Sequence, residues 1–358
     1  MAPTIRTHAS SLDFLQATAA ADLARTNVLT GFIFERWLKA ATTLVASAGD
    51  EDVKKPDEDA QVLVSVWEGD ELRLMFSKLG LAQCKLVSPL RPSQHSTLAV
   101  PFMPQLVDHL LAMPPFSTLP SLLRSITGPT LLVDSFLTAW PHPRKTRPSM
   151  EMLACSTTSA PPPASLPAGH TFERIRDVFA LSQTEVEHLA ELLIGFFAGA
   201  ETAPKLSVAE AVASLHKSVP AGAMWVYRAP AQSAPGNVPV GFVTTGRPTL
   251  RTVAIRGVFV APSHRGQGIA ARMVSLVTRA HLVEAPKLPL DLGKPLPTTE
   301  DGAPVEEGKT KWGGKDEVCL FVEPDNLPAR RAYAKVGFRE SEDKWCDVDL
   351  EGVEPGSW

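Results

Sequence analysis

The sequence predicts a mixed chain of α+β class built as two halves, and three features of it point there. Apolar residues at helical spacing and runs of β-branched and aromatic residues occur on both sides of a single break. That break, CSTTSAPPPASLPAG at 155–169, is too rich in Pro, Ser and small residues for a helix interior or a central strand, and it reads as a linker. The 358 residues are enough for two domains, each burying its own core. The expected division is therefore 1–154, a linker at 155–169, and a second domain at 170–358.

In the first half, residues 12–38 carry apolar side chains at helical spacing. Residues 61–78, QVLVSVWEGDELRLMFSK, alternate around Glu68-Gly69-Asp70 as the arms of a hairpin would. Helical patterns follow at 103–113 and 131–140. In the second half helices are expected at 172–179 and 184–197, then strands at 223–228, 240–245 and 253–260. A helix from Gly268 onward, a strand at 318–322, a helix at 327–336 and a final strand near 345–350 complete the order. Residues 282–317 are dominated by Pro, Gly and charged side chains, too polar to bury, and are expected to form a flexible surface insertion.

Composition removes several function classes. A formal net charge of -4 supplies no basic excess to hold a nucleic-acid backbone, so no nucleic-acid partner is expected. The four cysteines, Cys84, Cys155, Cys319 and Cys346, lie far apart with no C-x-x-C, so they read as reduced, buried thiols and no metal is expected. No run of eighteen apolar residues exists, and Asp13 interrupts the segment where a signal peptide needs an apolar core. The expected location is cytoplasmic, or nuclear by diffusion, with no membrane partner.

The most informative stretch is APSHRGQGIAARM at 261–273, which joins the β-branched run at 253–260 to a helical pattern. A helix start presents backbone N–H groups with no intrahelical acceptor, and the helix dipole adds positive potential there. Glycines at 266 and 268 remove the Cβ atoms that would block an approaching anion, so the segment is suited to holding phosphate. Neither a P-loop nor a G-x-G-x-x-G fingerprint is present. Arg265-Gly266-Gln267-Gly268-Ile269-Ala270 instead resembles R-x-x-G-x-[GA], the coenzyme A pyrophosphate loop of the GNAT acyltransferase superfamily. The strand before it, RGVFVAP, resembles that superfamily's central strand, whose backbone at Val258, Phe259 and Val260 would line the pantetheine arm. Downstream, LFVEPDNLPARRAYAKVGFRE at 320–340 resembles the second superfamily motif through Asn326, Ala329, Tyr333, Gly337 and Phe338.

The resemblance implies a GNAT fold in the C-terminal half and acetyl-CoA as cosubstrate. It also implies an N-acetyltransferase activity on a primary amine of a small molecule or protein. Tyr333 falls at the general-acid position, with a core tyrosine as the alternative. Asn326 is either a contact to the pantetheine region or the cap of the helix that follows. The central strand has Arg256 and Val258 where many members carry a Glu, which leaves Glu323 as the nearest candidate base, with Asp325 and the loop residue His264 as weaker ones. Softer patterns, FLQATAAADLARTNVLTG at 14–31, VWEGDELR at 66–73 and TGPTLLVDSFLTAW at 127–140, resemble a two-domain branch whose N-terminal half is a degenerate copy of the fold. Two other readings stay open: a non-catalytic acyl-CoA-binding or sensing module, and a glycine-type amino-acid N-acyltransferase. The acceptor, the acyl chain length and the oligomeric state are not legible in the sequence.

Overall fold

The computed structural model describes residues 3–46, 61–146, 148–199, 205–218, 223–231, 236–285, 292 and 313–355. Its described strands form one twelve-stranded sheet in the order β1-β2-β3-β4-β5-β12-β6-β11-β10-β9-β8-β7. The first half supplies β1 (Thr4–Thr7), α1 (Ser11–Ala17), α2 (Asn27–Ala46), β2 (Gln61–Glu68), β3 (Glu71–Leu79) and β4 (Cys84–Val87). A short α3 (His95–Leu98) and α4 (Met103–Leu111) lead to β5 (Ser125–Pro129), α5 (Thr130–Ala139) and β6 (Met150–Thr157). The second half repeats that succession. It runs β7 (Thr171–Ile175), α6 (Gln183–Phe197), α7 (Val208–Ser218), β8 (Met224–Pro230), β9 (Asn237–Gly246) and β10 (Thr252–Val260). Then come α8 (Ile269–Arg279), β11 (Glu317–Val322), α9 (Leu327–Val336) and β12 (Arg339–Asp349).

Local chemistry explains many of these boundaries. Ser10 accepts the Asp13 N–H at 3.1 Å and starts α1. Ser182 and Glu185 cap each other's backbone donors at the start of α6. Gly69 closes the β2–β3 hairpin at φ +60. Each half buries both faces of its sheet. Val64, Phe76, Leu106 and Phe136 pack β2–β5 against α4 and α5, whereas Phe14, Ile33 and Phe34 pack α1 and α2 on the opposite face. In the second half Ile255, Met273, Val277 and Leu320 pack against α8 and α9, and Leu189, Val226 and Phe242 against α6 and α7.

The sheet departs from the expected division of the chain. Cys155–Thr157 were expected in the linker, but they belong to β6, paired with β11 through Leu320↔Cys155 and with β12 through Glu340↔Cys155. The Thr-rich end of that strand is β-compatible, and the prolines beyond it mask the signal. The boundary at 154/170 does not match the sheet either. β12, last in the chain, pairs with β5 of the first half, while β6 of the first half pairs with β11 of the second. The two equivalent strands have changed places.

Two further expectations are corrected. Residues 172–179 hold apolar side chains at spacings that suit a helix, yet Thr171–Ile175 pair with β8 as an edge strand, and Asp177 caps only a single tight turn after it. The final strand starts at Arg339 rather than near 345. Most of the 282–317 insertion lies outside the described residues. Its described ends pack on the core: the buried His281 lies in a helical turn, Ala280–Glu284, and Lys315 is buried with its ammonium on the Thr249 carbonyl. Leu292 packs beside α1, with its carbonyl accepting the Gln16 side chain at 2.8 Å. The four cysteines are free and buried.

Candidate active site

The site begins where β10 parts from β11. The two strands run parallel in register from Thr252↔Glu317 to Ile255↔Leu320 and pair no further, whereas β10 stays with β9 as far as Val260↔Gly241. A bulge between Ile255 and Gly257 leaves Arg256 out of register and turns the strand. The Ala261 N–H donates to the Val240 carbonyl at 2.8 Å. By alternation the backbone groups of Val258 and Val260 face away from β9, into the gap that opens beside β11. Phe259 faces the other side of the sheet and packs on Phe196 and Phe242.

At the end of β10 lies the glycine loop. Gly266 and Gly268 have φ of +78 and +72, a left-handed conformation open to glycine at little cost, and a Cβ at either would meet nothing within 4 Å. The loop is therefore open in front of the α8 N-terminus. Ile269 is buried and anchors that helix with Met273, while Arg265, Gly266, Gln267 and Gly268 are exposed and Ala270 is half-buried. Arg265 is held at the mouth of the gap: its Nε donates to the Val260 carbonyl at 3.1 Å, and its guanidinium lies 5.6 Å from the Phe259 ring. The His264 ring hydrogen-bonds its neighbour Ser263 at 2.9 Å.

The second motif follows β11. The Asn326 side-chain oxygen accepts the Ala329 N–H at 3.2 Å, so this residue caps α9. α9 packs beside α8 on one face of the sheet, and Tyr333 lies half-buried between them and β6, its ring 6.2 Å from Phe338. Burial, together with the adjacent Cys155, pushes the Tyr333 phenol up to about 12, which keeps it a proton donor throughout the neutral range. Glu323 and Asp325 are exposed just past the end of β11. The Glu323 carboxylate has no hydrogen bond or ion pair among the described residues, so it is near the gap by chain position alone. The structure thus gathers 258–270, Asn326 and Tyr333 at one end of the β10–β11 pair. Among the described residues there is no group of three or more His, Cys, Asp or Glu side chains able to hold a metal. No described helix is long and apolar enough to cross a membrane.

Sequence reading missed a basic cluster on the opposite face of this strand pair, formed by Lys85, Arg247 and Arg256 around the Phe32 ring. Phe32 and Lys85 lie far from Arg247 and Arg256 in the chain. The one local signal is Arg256 itself, at a position where a carboxylate was sought.

Residues 189–284 match the model of the Acetyltransferase (GNAT) family. The chain carries a GNAT domain. The match covers β8 to β10, the glycine loop and α8, and it ends before Asn326 and Tyr333. A solved Drosophila protein shares the fold of both halves, covering 99% of this chain and 100% of its own at 8% identity and a TM-score of 0.53. Two further similar structures are a GCN5-related N-acetyltransferase from Sphaerobacter thermophilus and a tandem GNAT protein from the clavulanic acid biosynthesis pathway. The first is 15% identical, with 99% and 97% coverage and a TM-score of 0.43; the second is 14% identical, with 99% and 100% coverage and a TM-score of 0.38. No curated protein matches the chain significantly. With the GNAT domain in place, the repeated order of elements makes the N-terminal half a second copy of the same α+β fold. Its turn after β4, SPLRPSQ at 88–94, has no glycine.

Proposed function

We propose that this protein is an acyl-CoA-dependent N-acyltransferase that transfers acetyl from acetyl-CoA to a primary amine by direct attack. The observation that carries the reading is the opening of β10 away from β11 directly beside an open, left-handed glycine pair at a helix start. Those features suit coenzyme A: amides at the start of α8 for the pyrophosphate, and the backbone of Val258 together with the Val260 N–H, turned away from β9, for the pantetheine amides. Arg265, tethered to Val260, adds a positive charge at the same mouth.

Bound acetyl-CoA supplies the activated carbonyl, and the protein's part is to position it and manage protons. Tyr333 is the candidate donor to the departing sulfur, since its phenol is neutral at working pH. Asn326 acts through α9 by fixing the helix that carries Tyr333. Glu323 stands as a candidate base only by order of elements, and a water relay serves equally. The N-terminal half, lacking the glycines, takes no coenzyme A in this manner. The absence of a carboxylate on β10 favours one other reading, a module that binds acyl-CoA without turnover. Calorimetry with coenzyme A and thiol release from acetyl-CoA with a panel of amines separate the two. Binding with no release for any amine supports the module, and no binding sinks both.

A further inference from the structure

The basic cluster around Phe32 has no part in the roles given so far. Lys85 Nζ lies 5.6 Å, Arg247 Cζ 5.9 Å and Arg256 Cζ 5.8 Å from that ring centroid. Lys85 is accounted for locally: its ammonium donates to Gln83 Oε1 at 2.8 Å and to Thr127 Oγ1 at 3.4 Å, and Asp347 stands beside it, held by the same two side chains. The arginines are not. Glu35 on α2 acts on both through space, but neither guanidinium has a hydrogen bond or ion pair to a carboxylate among the described residues. Arg247 is 5% exposed, and its Nε has no hydrogen-bond partner among the described residues. Asp347 balances Lys85, and among the described residues the carboxylate that acts on both arginines is Glu35; a buried guanidinium donor without an acceptor is costly.

The surroundings are shaped to keep these side chains there. A Cβ on Gly31 of α2 would lie 2.5 Å from Arg247 Cβ and 2.6 Å from its carbonyl oxygen, so that position needs glycine for close approach, whereas one on Gly246 would lie 2.5 Å from Arg256 Cδ and displace that side chain. Arg247 holds φ +50, a strained conformation for a residue with a Cβ. Burial lowers the Arg247 pKa to about 10, which leaves it charged at neutral pH.

The cluster sits at the mouth of the gap. Arg256 is the bulged residue where β10 leaves β11. Arg247 also lies 5.4 Å from the ring of Phe321, the residue after the last paired position Leu320. Val258, Val260 and Tyr333 belong to the face covered by α8 and α9, whereas Phe32 and Phe321 belong to the face covered by α2. Arg256 is exposed, so solvent reaches the cluster from that side.

We propose that this cluster marks the acceptor subsite and that the acceptor is a small amine carrying a carboxylate, its anion held by Arg247 and Arg256 and its nitrogen presented to the gap. The inference rests on the acyltransferase reading above. Planar guanidinium forks match a carboxylate in geometry as well as charge. The same charge repels polyamines and basic peptides. In the reaction the amine nitrogen forms a bond to the acetyl carbon as the carbon–sulfur bond breaks. The nitrogen loses a proton and the sulfur gains one, giving an amide and free coenzyme A, with the carboxylate unchanged.

The test uses the full chain with acetyl-CoA and five amines: glycine, glutamate, phosphoethanolamine, phenethylamine and spermidine. The expected result is that glycine or glutamate exceeds phenethylamine and spermidine at least 10-fold in kcat/KM. Arg256→Gln, at an exposed position that the fold tolerates, should raise that acceptor's KM roughly 10- to 100-fold. Its coenzyme A Kd should stay within twofold, and Arg256→Lys should restore part of the loss. Spermidine or phenethylamine as the best acceptor overturns the proposal, as does an unchanged KM in Arg256→Gln. Phosphoethanolamine as the best acceptor overturns the choice of carboxylate. If no amine turns over, calorimetry of N-acetylglycine and N-acetylglutamate with the coenzyme A complex decides. Binding that Arg256→Gln abolishes upholds the subsite, and no binding removes it. Coenzyme A that fails to bind removes the acyltransferase reading itself.

Discussion

Replacing Gly268 by Ala and by Glu separates the cost of backbone strain from the cost of losing an anion site. At φ +72 a residue with a Cβ is strained by about 1–2 kcal/mol. A Cβ there meets nothing within 4 Å, so no steric term adds to it. Both variants should therefore melt cooperatively, with Tm lowered by no more than about 4 °C per kcal/mol. Binding should respond differently. The Ala methyl intrudes on the space in front of the α8 amides and weakens coenzyme A modestly. The Glu carboxylate brings a like charge to about 4 Å from a bound diphosphate. That repulsion is about 1 kcal/mol in water and about 4 kcal/mol in a partly desolvated site. Coenzyme A Kd for Gly268→Glu should accordingly rise between roughly 5-fold and 10³-fold above that of Gly268→Ala. Titration calorimetry on both variants, at low and high salt, provides the measurement. Equal affinities for Ala and Glu, in variants that still fold, would refute phosphate binding at this loop.

Tyr333→Phe should lower kcat by roughly 10²-fold while coenzyme A affinity stays constant. Because the phenol is held at about 12, the wild-type rate should show no falling limb from this group below about pH 10, and a limb near neutrality that Tyr333→Phe removes would contradict its buried state. Asn326→Ala should cost about 1 kcal/mol of stability through loss of the α9 cap, with Asn326→Asp close to wild type in thermal melts; an unchanged Tm for the Ala variant would remove the capping role. Asp343 on β12 is pushed up to about 6 by burial, with His95 Nδ1 at 3.5 Å. Above pH 6 the fold therefore carries a buried negative charge that the unfolded chain, near 3.8, solvates freely, and below about pH 4 both states are neutral. Stability from this group falls as pH rises through that window, so Asp343→Asn should raise Tm at pH 8 and leave it nearly unchanged at pH 4; the opposite ranking would contradict the burial argument.

The loop from Val253 to Met273 was legible because everything that shapes it is local. A β-branched strand, two left-handed glycines and an amphipathic helix follow one another without help from distant chain, and so do the Asn326 cap and α9. The short strands β4 and β5 escaped notice because four or five residues hold too little periodic signal. Residues 172–175 were misread because Phe172, Ile175, Val178 and Phe179 suit a helix until β8 is there to pair with. The site divides the same way. The phosphate loop is contiguous, whereas Lys85, Arg247 and Arg256 meet only when α2 of one half packs on the sheet of the other. No pattern in the chain connects residue 32 to residue 256.

The exchange of β6 and β12 has a consequence for synthesis. The strand that lies between β5 and β6, near the middle of the twelve, is the last of the twelve in chain order and so the last of them to be made. Until Asp349 has emerged, β5 and β6 each present an unpaired edge, and the nascent chain holds two partial sheets with a missing seam between them. A premature stop near Gly337 would leave the glycine loop, Asn326 and Tyr333 intact in sequence and yet free two sticky edges on every molecule. Loss of β12 should then appear as aggregation rather than as merely weaker function.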